Sequence, residues 1–243
     1  MKKAGIITGA TRGIGNGLFK SLANKGISIA TVYHEDEASA QTFREHAESI
    51  GVDYLIEKID VRDYNMLDGF VQRVVKKFGR VDYLINNIGY DEWNLLNDIT
   101  IDEWKLSQDI ILNAPFYLSK LVLPIMRKQG FGRIVNLGAS SNDYFKGVAG
   151  IGAFGVHKAA LTVMTKTLAL EEIRYGITVN MVAPGSTEGA GTTPEDQRIP
   201  IDKIPLGRRI TVNEIVAAVE FFLSENASSI TGQFLGVNGG LST

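Results

Sequence analysis

Near the start of the chain a short apolar run enters a glycine-rich turn: Gly5-Ile6-Ile7-Thr8-Gly9-Ala10-Thr11-Arg12-Gly13-Ile14-Gly15. Ala4 to Ile7 is too short to span a bilayer and reads as a buried strand. Gly9, Gly13 and Gly15 follow in the spacing G-x-x-x-G-x-G. Glycines there let the backbone approach a pyrophosphate closely and enter the next helix at once. The helix N-terminus then offers free N–H groups and the positive end of its dipole to phosphates. A tight strand-to-helix turn with no ligand is the plain alternative. Lys2 and Lys3 before an apolar run have the look of a signal peptide, but the glycine turn follows too early for one.

The rest of the chain repeats the same alternation. Helical patterns at Ile14–Lys25, Glu37–Ile50, Tyr64–Phe78, Asp102–Leu112, Phe116–Lys128, Ala153–Tyr175 and Asn213–Leu223 carry apolar residues at helical spacing. Several end at a glycine, as helix stops do. Between them lie strand-like runs at Ile27–Tyr33, Tyr54–Ile59, Val81–Ile85, Arg133–Leu137, Ile177–Val182 and Phe234–Val237. With the first strand these make seven. Continuous apolar strands alternating with helices predict a parallel sheet covered on both faces. A length of 243 residues suits a single α/β domain over 1–243. The longest irregular stretch runs from Gly185 to Ile210, and loops of that length are usually functional. Residues 186–210 are therefore the expected substrate segment.

Composition narrows the partners. The formal net charge is −2, with no basic excess for nucleic acid or anionic lipid. Cysteine is absent, which excludes disulfides and thiolate chemistry and fits a reducing, cytoplasmic setting. His34, His46 and His157 show no ligand spacing, so no metal site is expected.

Taken together, several motifs resemble the short-chain dehydrogenase/reductase family, and most closely its 3-oxoacyl-acyl-carrier-protein reductase branch. They are Thr8-Gly9-Ala10-Thr11-Arg12-Gly13-Ile14-Gly15, Asp60-Val61, Asn86-Asn87-Ile88-Gly89, Pro184-Gly185, Ile230-Thr231-Gly232-Gln233 and Val237-Asn238-Gly239-Gly240. The resemblance spans essentially the whole chain. It implies a single-domain Rossmann fold, doubly wound around a seven-stranded, mostly parallel sheet. It implies a nicotinamide dinucleotide held by Gly9, Thr11, Arg12, Gly13, Ile14 and Gly15. Asp60 and Val61 would flank adenine, and Asn87 and Gly89 would line the next contact, with Asn86 pinning strands. Pro184, Gly185 and Thr187 would border the nicotinamide. It also implies homo-oligomers, dimers or tetramers, paired through the helices at 116–128 and 153–175.

Cofactor choice turns on the end of the second strand. An NAD site places an acidic acceptor there for the ribose 2′-OH. Here the position is Tyr33, and His34 falls where many members carry a basic residue for a 2′-phosphate. Arg12 can reach that phosphate, whereas Glu35 and Asp36 would repel it. NADP(H) is the expected preference over NAD(H).

The family's chemistry is general acid–base catalysis by a tyrosine four residues before a lysine, which puts both on one helix face. Lys158 is the lysine, but the tyrosine slot holds Phe154, which has no proton to give. The family asparagine falls on Ile111, and Asn113 points elsewhere on the helix. The serine slot is Ala139 counted forward from the strand and Ser141 counted back from Phe154, so Ser140 or Ser141 is the candidate. Gly189 stands in the slot of a nicotinamide-contacting threonine, for which Thr187 is a possible substitute. Tyr144, Tyr90, Asp91 and His157 are weak candidates for a replacement acid; His157 reads rather as a helix-surface or interface residue. Trp93 and Trp104 read as packing residues. Three readings follow: an NADP(H)-dependent reductase of a carbonyl or conjugated carbonyl compound, small or acyl-carrier-linked; a non-catalytic dinucleotide-binding partner subunit or sensor; and an ordinary reductase silenced by substitution.

Overall fold

The computed structural model describes residues 2–90, 94–139, 147–189 and 199–241. Its first half alternates β1 (Ala4–Thr8), α1 (Gly13–Asn24), β2 (Ser28–Tyr33), α2 (Glu37–Ile50), β3 (Tyr54–Lys58), α3 (Tyr64–Phe78) and β4 (Tyr83–Asn86). Then come α4 (Ile101–Gln108), α5 (Ala114–Gln129), β5 (Gly132–Leu137), α6 (Gly152–Glu172) and β6 (Ile177–Pro184). The chain closes with β7 (Thr187–Glu188), β8 (Ile210–Thr211), α7 (Val212–Leu223) and β9 (Phe234–Val237). Seven strands form one sheet in the order β3-β2-β1-β4-β5-β6-β9, and every pairing is parallel. This is the doubly wound Rossmann arrangement, with strand order reversing between β1 and β4.

Strand periodicity of two splits the core into two layers. On β1, Ile6 joins the layer with α3, α5 and α6, and Ile7 joins the layer with α1, α2 and α7. Leu84 and Ile85 of β4 divide the same way, as do Ile134 and Val135 of β5. All six side chains are fully buried, each worth about 1.5–3 kcal/mol of hydrophobic stabilisation. Helix ends are set locally. Asp36 accepts the Ser39 N–H at 3.0 Å to start α2, and Asp63 accepts that of Met66 at 3.0 Å to start α3.

Two expectations need correction. The sequence predicts separate helices at 102–112 and 116–128. The structure instead runs one helix from 101 to 129 through a π-helical turn, Asp109–Asn113. Pro115, just after it, fits such a wide turn, because it offers no N–H to the carbonyl four residues back, at Ile111. This helix is long and apolar enough to cross a bilayer. Its α5 face is instead committed to the core, through Leu118, Val122 and Met126. The second correction concerns 186–210. Its two ends are not irregular: β7 and β8 pair in parallel, and the Ile210 N–H donates to Ser186 O at 2.9 Å. Residues 190–198 lie outside the described residues.

Candidate dinucleotide site and catalytic cleft

The glycine turn joins β1 to α1 at the point where strand order reverses. Gly9 and Gly13 take φ of +67° and +54°, a region that side chains disfavour. Gly15 is required by space: a Cβ there would sit 2.2 Å from Gly9 O and 2.7 Å from Asn87 Nδ2. Arg12 precedes α1 without a side-chain cap, and the first turn holds no acidic residue. The first N–H groups of α1 are thus left for a ligand, at the positive end of the helix dipole. The turn is braced from both neighbouring strands. Ala10 N donates to Thr31 Oγ1 at 3.0 Å, and Gly9 N to Val32 O at 3.2 Å. Asn87 Nδ2 donates to Thr8 O at 2.9 Å, while Thr8 Oγ1 accepts the Asn87 and Ile88 N–H groups at 2.9 and 3.1 Å. These residues fit a pyrophosphate: the backbone lies close, and among the described residues no side chain caps α1 and its first turn holds no acidic residue. Thr11 is buried at the turn, and Ile14 is half-buried in the first turn of α1.

At the far end of the crevice, Tyr33 is buried and its hydroxyl donates to Glu37 Oε2 at 2.7 Å. That bond leads towards α2. His34 is exposed, with Nε2 3.8 Å from Asp60 Oδ2 and Nδ1 3.7 Å from Glu35 Oε1. Arg62 folds back on Asp60: its Nε donates to both carboxylate oxygens at 2.9 Å, its backbone N to Oδ1 at 3.0 Å, and its NH2 to Oδ2. Chiefly through that guanidinium, the Asp60 carboxyl is held down at about 2. Val61 is buried beside it, and a narrow recess opens between Val61, Thr8, Asn86, Ile88, Ile110 and Pro115. Gly89 is exposed at the end of the loop after β4, next to half-buried Tyr90. Asn86 Nδ2 donates to Asn136 Oδ1 at 2.7 Å, and Asn136 Nδ2 to Thr165 Oγ1 at 2.9 Å, tying β4, β5 and α6 together.

The reaction end is built on α6. Lys158 is buried, and its Nζ donates to Leu137 O at 2.5 Å, at the end of β5. The ammonium stands 5.7 Å from the centre of the half-buried Phe154 ring. The spacing thus brings the two side chains together as expected. Ser140, Ser141 and Tyr144 lie outside the described residues, as do Asp91 and Trp93. Ala139 is described and buried. Ile111 is fully buried in the π-helical turn, and Asn113 Nδ2 is spent on Asp109 Oδ1 at 2.7 Å. On the opposite wall, Gly185 N donates to Val237 O at 2.9 Å, and a Cβ at Gly185 would meet Asn238 Cα at 2.7 Å. Pro184, just before it, closes β6. Thr187 is buried with its hydroxyl turned back onto Gly185 O at 2.9 Å. Gly189 is exposed with φ of +70°.

His157 departs from expectation. It is not on the helix surface: its exposure is 3%, its Nδ1 lies 3.0 Å from Ser107 Oγ, and Trp104 packs against it at 4.6 Å between ring centres. The physical reason is that α4 covers the flank of α6 that a lone-helix pattern leaves open. Burial lowers the pKa of the imidazole, so it is neutral near pH 7 and is a poor proton donor. Because the folded pKa is below the unfolded one, the unfolded chain takes the proton first. The stabilisation is complete above the unfolded value of about 6.5, and is lost as pH falls towards the lower folded value. His157→Gln is therefore expected to flatten the decline of the thermal midpoint between about pH 7 and pH 5. An unchanged slope in calorimetry would refute this origin.

Sequence inspection did not single out Arg62, the Ser107–His157 pair, or Arg209, whose NH1 donates to Ser186 Oγ. Arg62 alone had a legible signal, since it lies two residues after a singled-out aspartate.

The fold and the glycine turn together define a dinucleotide-binding α/β protein of the doubly wound class. Residues 9–242 match the family described as Enoyl-(Acyl carrier protein) reductase. The chain is 36% identical over 242 residues to the protein YtkK of Bacillus subtilis, covering 97% of this chain and 95% of that one. It is 35% identical over 243 residues to the 3-oxoacyl-[acyl-carrier-protein] reductase FabG of Escherichia coli, covering 98% and 97%. A solved structure of NAD+-bound xylitol dehydrogenase superposes with a TM-score of 0.89 at 28% identity, covering 98% of each chain. The chain belongs to the short-chain dehydrogenase/reductase family and is an oxidoreductase of that type.

Proposed function

We propose that this protein is a cytoplasmic, NADP(H)-dependent reductase of a carbonyl or conjugated carbonyl compound, small or acyl-carrier-linked. The carrying observation is that Lys158 bonds to the carboxyl end of β5 and the glycine turn follows the carboxyl end of β1, on the same edge of the parallel sheet, while position 154 offers a ring with no acidic proton. The dinucleotide would supply hydride. Lys158 would hold its ribose and place a positive charge beside the oxygen that gains electrons. Ser140 or Ser141 would donate a hydrogen bond to that oxygen. Reduction of a conjugated double bond suits this site best. Hydride goes to carbon, the oxyanion is stabilised electrostatically, and water can return the proton. Phe154 would exclude water from one side of the substrate. The second reading, a non-catalytic partner subunit or sensor, draws on Phe154 and fully buried Ile111, which both remove polar function. The named relatives, a reductase and a dehydrogenase, weigh towards the first.

Fluorescence titration with NADPH and then NADH, followed by a screen of enones and ketones, separates the readings. The reductase reading expects tighter NADPH binding and turnover that Lys158→Ala abolishes. Tight binding without turnover supports the sensor, and absence of binding removes both.

Homo-oligomerisation is part of the same proposal. Val156, Val163 and Leu170 recur every seven residues along α6, exposed to 45, 51 and 81%, and Phe116 of α5 is exposed to 44%. An apolar helical seam of that spacing suits pairing with a second copy. Leu170→Glu is expected to shift the protein to a smaller species in light scattering while leaving its circular dichroism unchanged. A wild-type monomer at tens of micromolar would overturn the pairing.

A further inference from the structure

We infer that Arg62 is the residue that makes the adenosine end of the crevice tolerate a 2′-phosphate, by cancelling the charge of Asp60. This rests on the proposed NADP(H) preference and names the residue behind it.

His34 sits between two carboxylates, 3.8 Å from Asp60 and 3.7 Å from Glu35. A phosphate dianion drawn to His34 therefore approaches Asp60 as well, and like charges at that separation repel strongly at a half-buried site. Arg62 removes the conflict. Its fork covers both oxygens of Asp60, and its backbone N–H adds a further bond to the same group. The guanidinium side chain remains 44% exposed, against 60% for His34. The guanidinium and the imidazole thus both reach solvent around one ion-paired carboxylate. Other charges nearby are Asp109, which acts on Arg62 through space, and Asp36, which feels Arg12. Neither is bonded to Arg62 among the described residues. An arginine suits this role because its planar fork matches a carboxylate on one side and keeps donors for a phosphate on the other.

The test compares dissociation constants for NADPH and NADH by nucleotide fluorescence, in wild type, Arg62→Gln, Arg62→Lys and the double variant Asp60→Asn/Arg62→Gln. The readout is the ratio of the NADH constant to the NADPH constant. Arg62→Gln is expected to lower that ratio by roughly tenfold, because a bare carboxylate then faces the phosphate. Arg62→Lys should restore most of it. The double variant should restore it too, since it removes the repelling charge along with its partner. Any general loss of adenine binding cancels in the ratio. A ratio unmoved by Arg62→Gln, or one that stays low in the double variant, overturns the inference. A wild-type ratio below one overturns the NADP(H) preference alone, because a further fall on Arg62→Gln would still support the role of Arg62.

Discussion

Phe154→Tyr is expected to raise kcat/KM for ketone reduction by about 10²–10⁴, the range typical of a positioned general acid. The ring already occupies the right face of α6, and Lys158 stands 5.7 Å from its centre. Adding the hydroxyl to that ring supplies the missing proton donor. The nearby ammonium favours the tyrosinate form, so the phenolic pKa should fall towards neutrality. The pH–rate profile should accordingly gain a titrating group absent from the wild type. Enone reduction should change far less, because its oxyanion needs stabilisation more than protonation. If ketone activity does not rise, buried Ile111 and exposed Gly189 become the next limits, and Ile111→Asn in the Phe154→Tyr background tests the first of them.

Gly15→Ala is expected to weaken dinucleotide binding by about 10–10²-fold, the equivalent of one lost hydrogen bond to a charged group, about 1.5–3 kcal/mol. The new Cβ would lie 2.2 Å from Gly9 O, which is backbone and cannot swing away. Either the turn or the first turn of α1 must move, and both present the amides meant for phosphate. The Asn87 brace, which a Cβ would approach to 2.7 Å, would be strained as well. Stability should fall by about 1–3 kcal/mol from overpacking. Gly69→Ala serves as the contrast. Its Cβ would meet only the end of the Arg73 side chain, at 3.1 Å, so the added helix propensity should make it neutral or stabilising. Titration of both variants by fluorescence checks the pair. Equal, undiminished affinity would show that the turn does not carry the phosphates.

Much of the frame is legible because the signals are local. Asp36 and Asp63 start helices by bonding amides three residues on, and the glycines at 51, 79 and 130 stop them in left-handed conformations. Continuous apolar runs along β1, β4 and β5 predict burial on both faces, and the two core layers bear that out. The pairing of Phe154 with Lys158 is legible for the same reason, since four residues make one helical turn.

Other features depended on which distant surfaces meet. Pro115 could mark a helix end or a wide turn. Packing of Leu118 and Met126 into the same core as α3 kept the helix continuous. His157 could face solvent or a neighbour, and the approach of Trp104 and Ser107 on α4 decided it. Likewise the Asn87 side chain is spent on the turn across the β1–β4 boundary, 78 residues away in sequence from Gly9. What the sequence by itself determined here is a set of signals local to a few residues: the strand and helix periodicities, the glycine stops and the glycine turn. Only the tertiary structure decided how side chains on different elements share charge and hydrogen bonds. Those pairings depend on packing angles that arise once the whole sheet has formed.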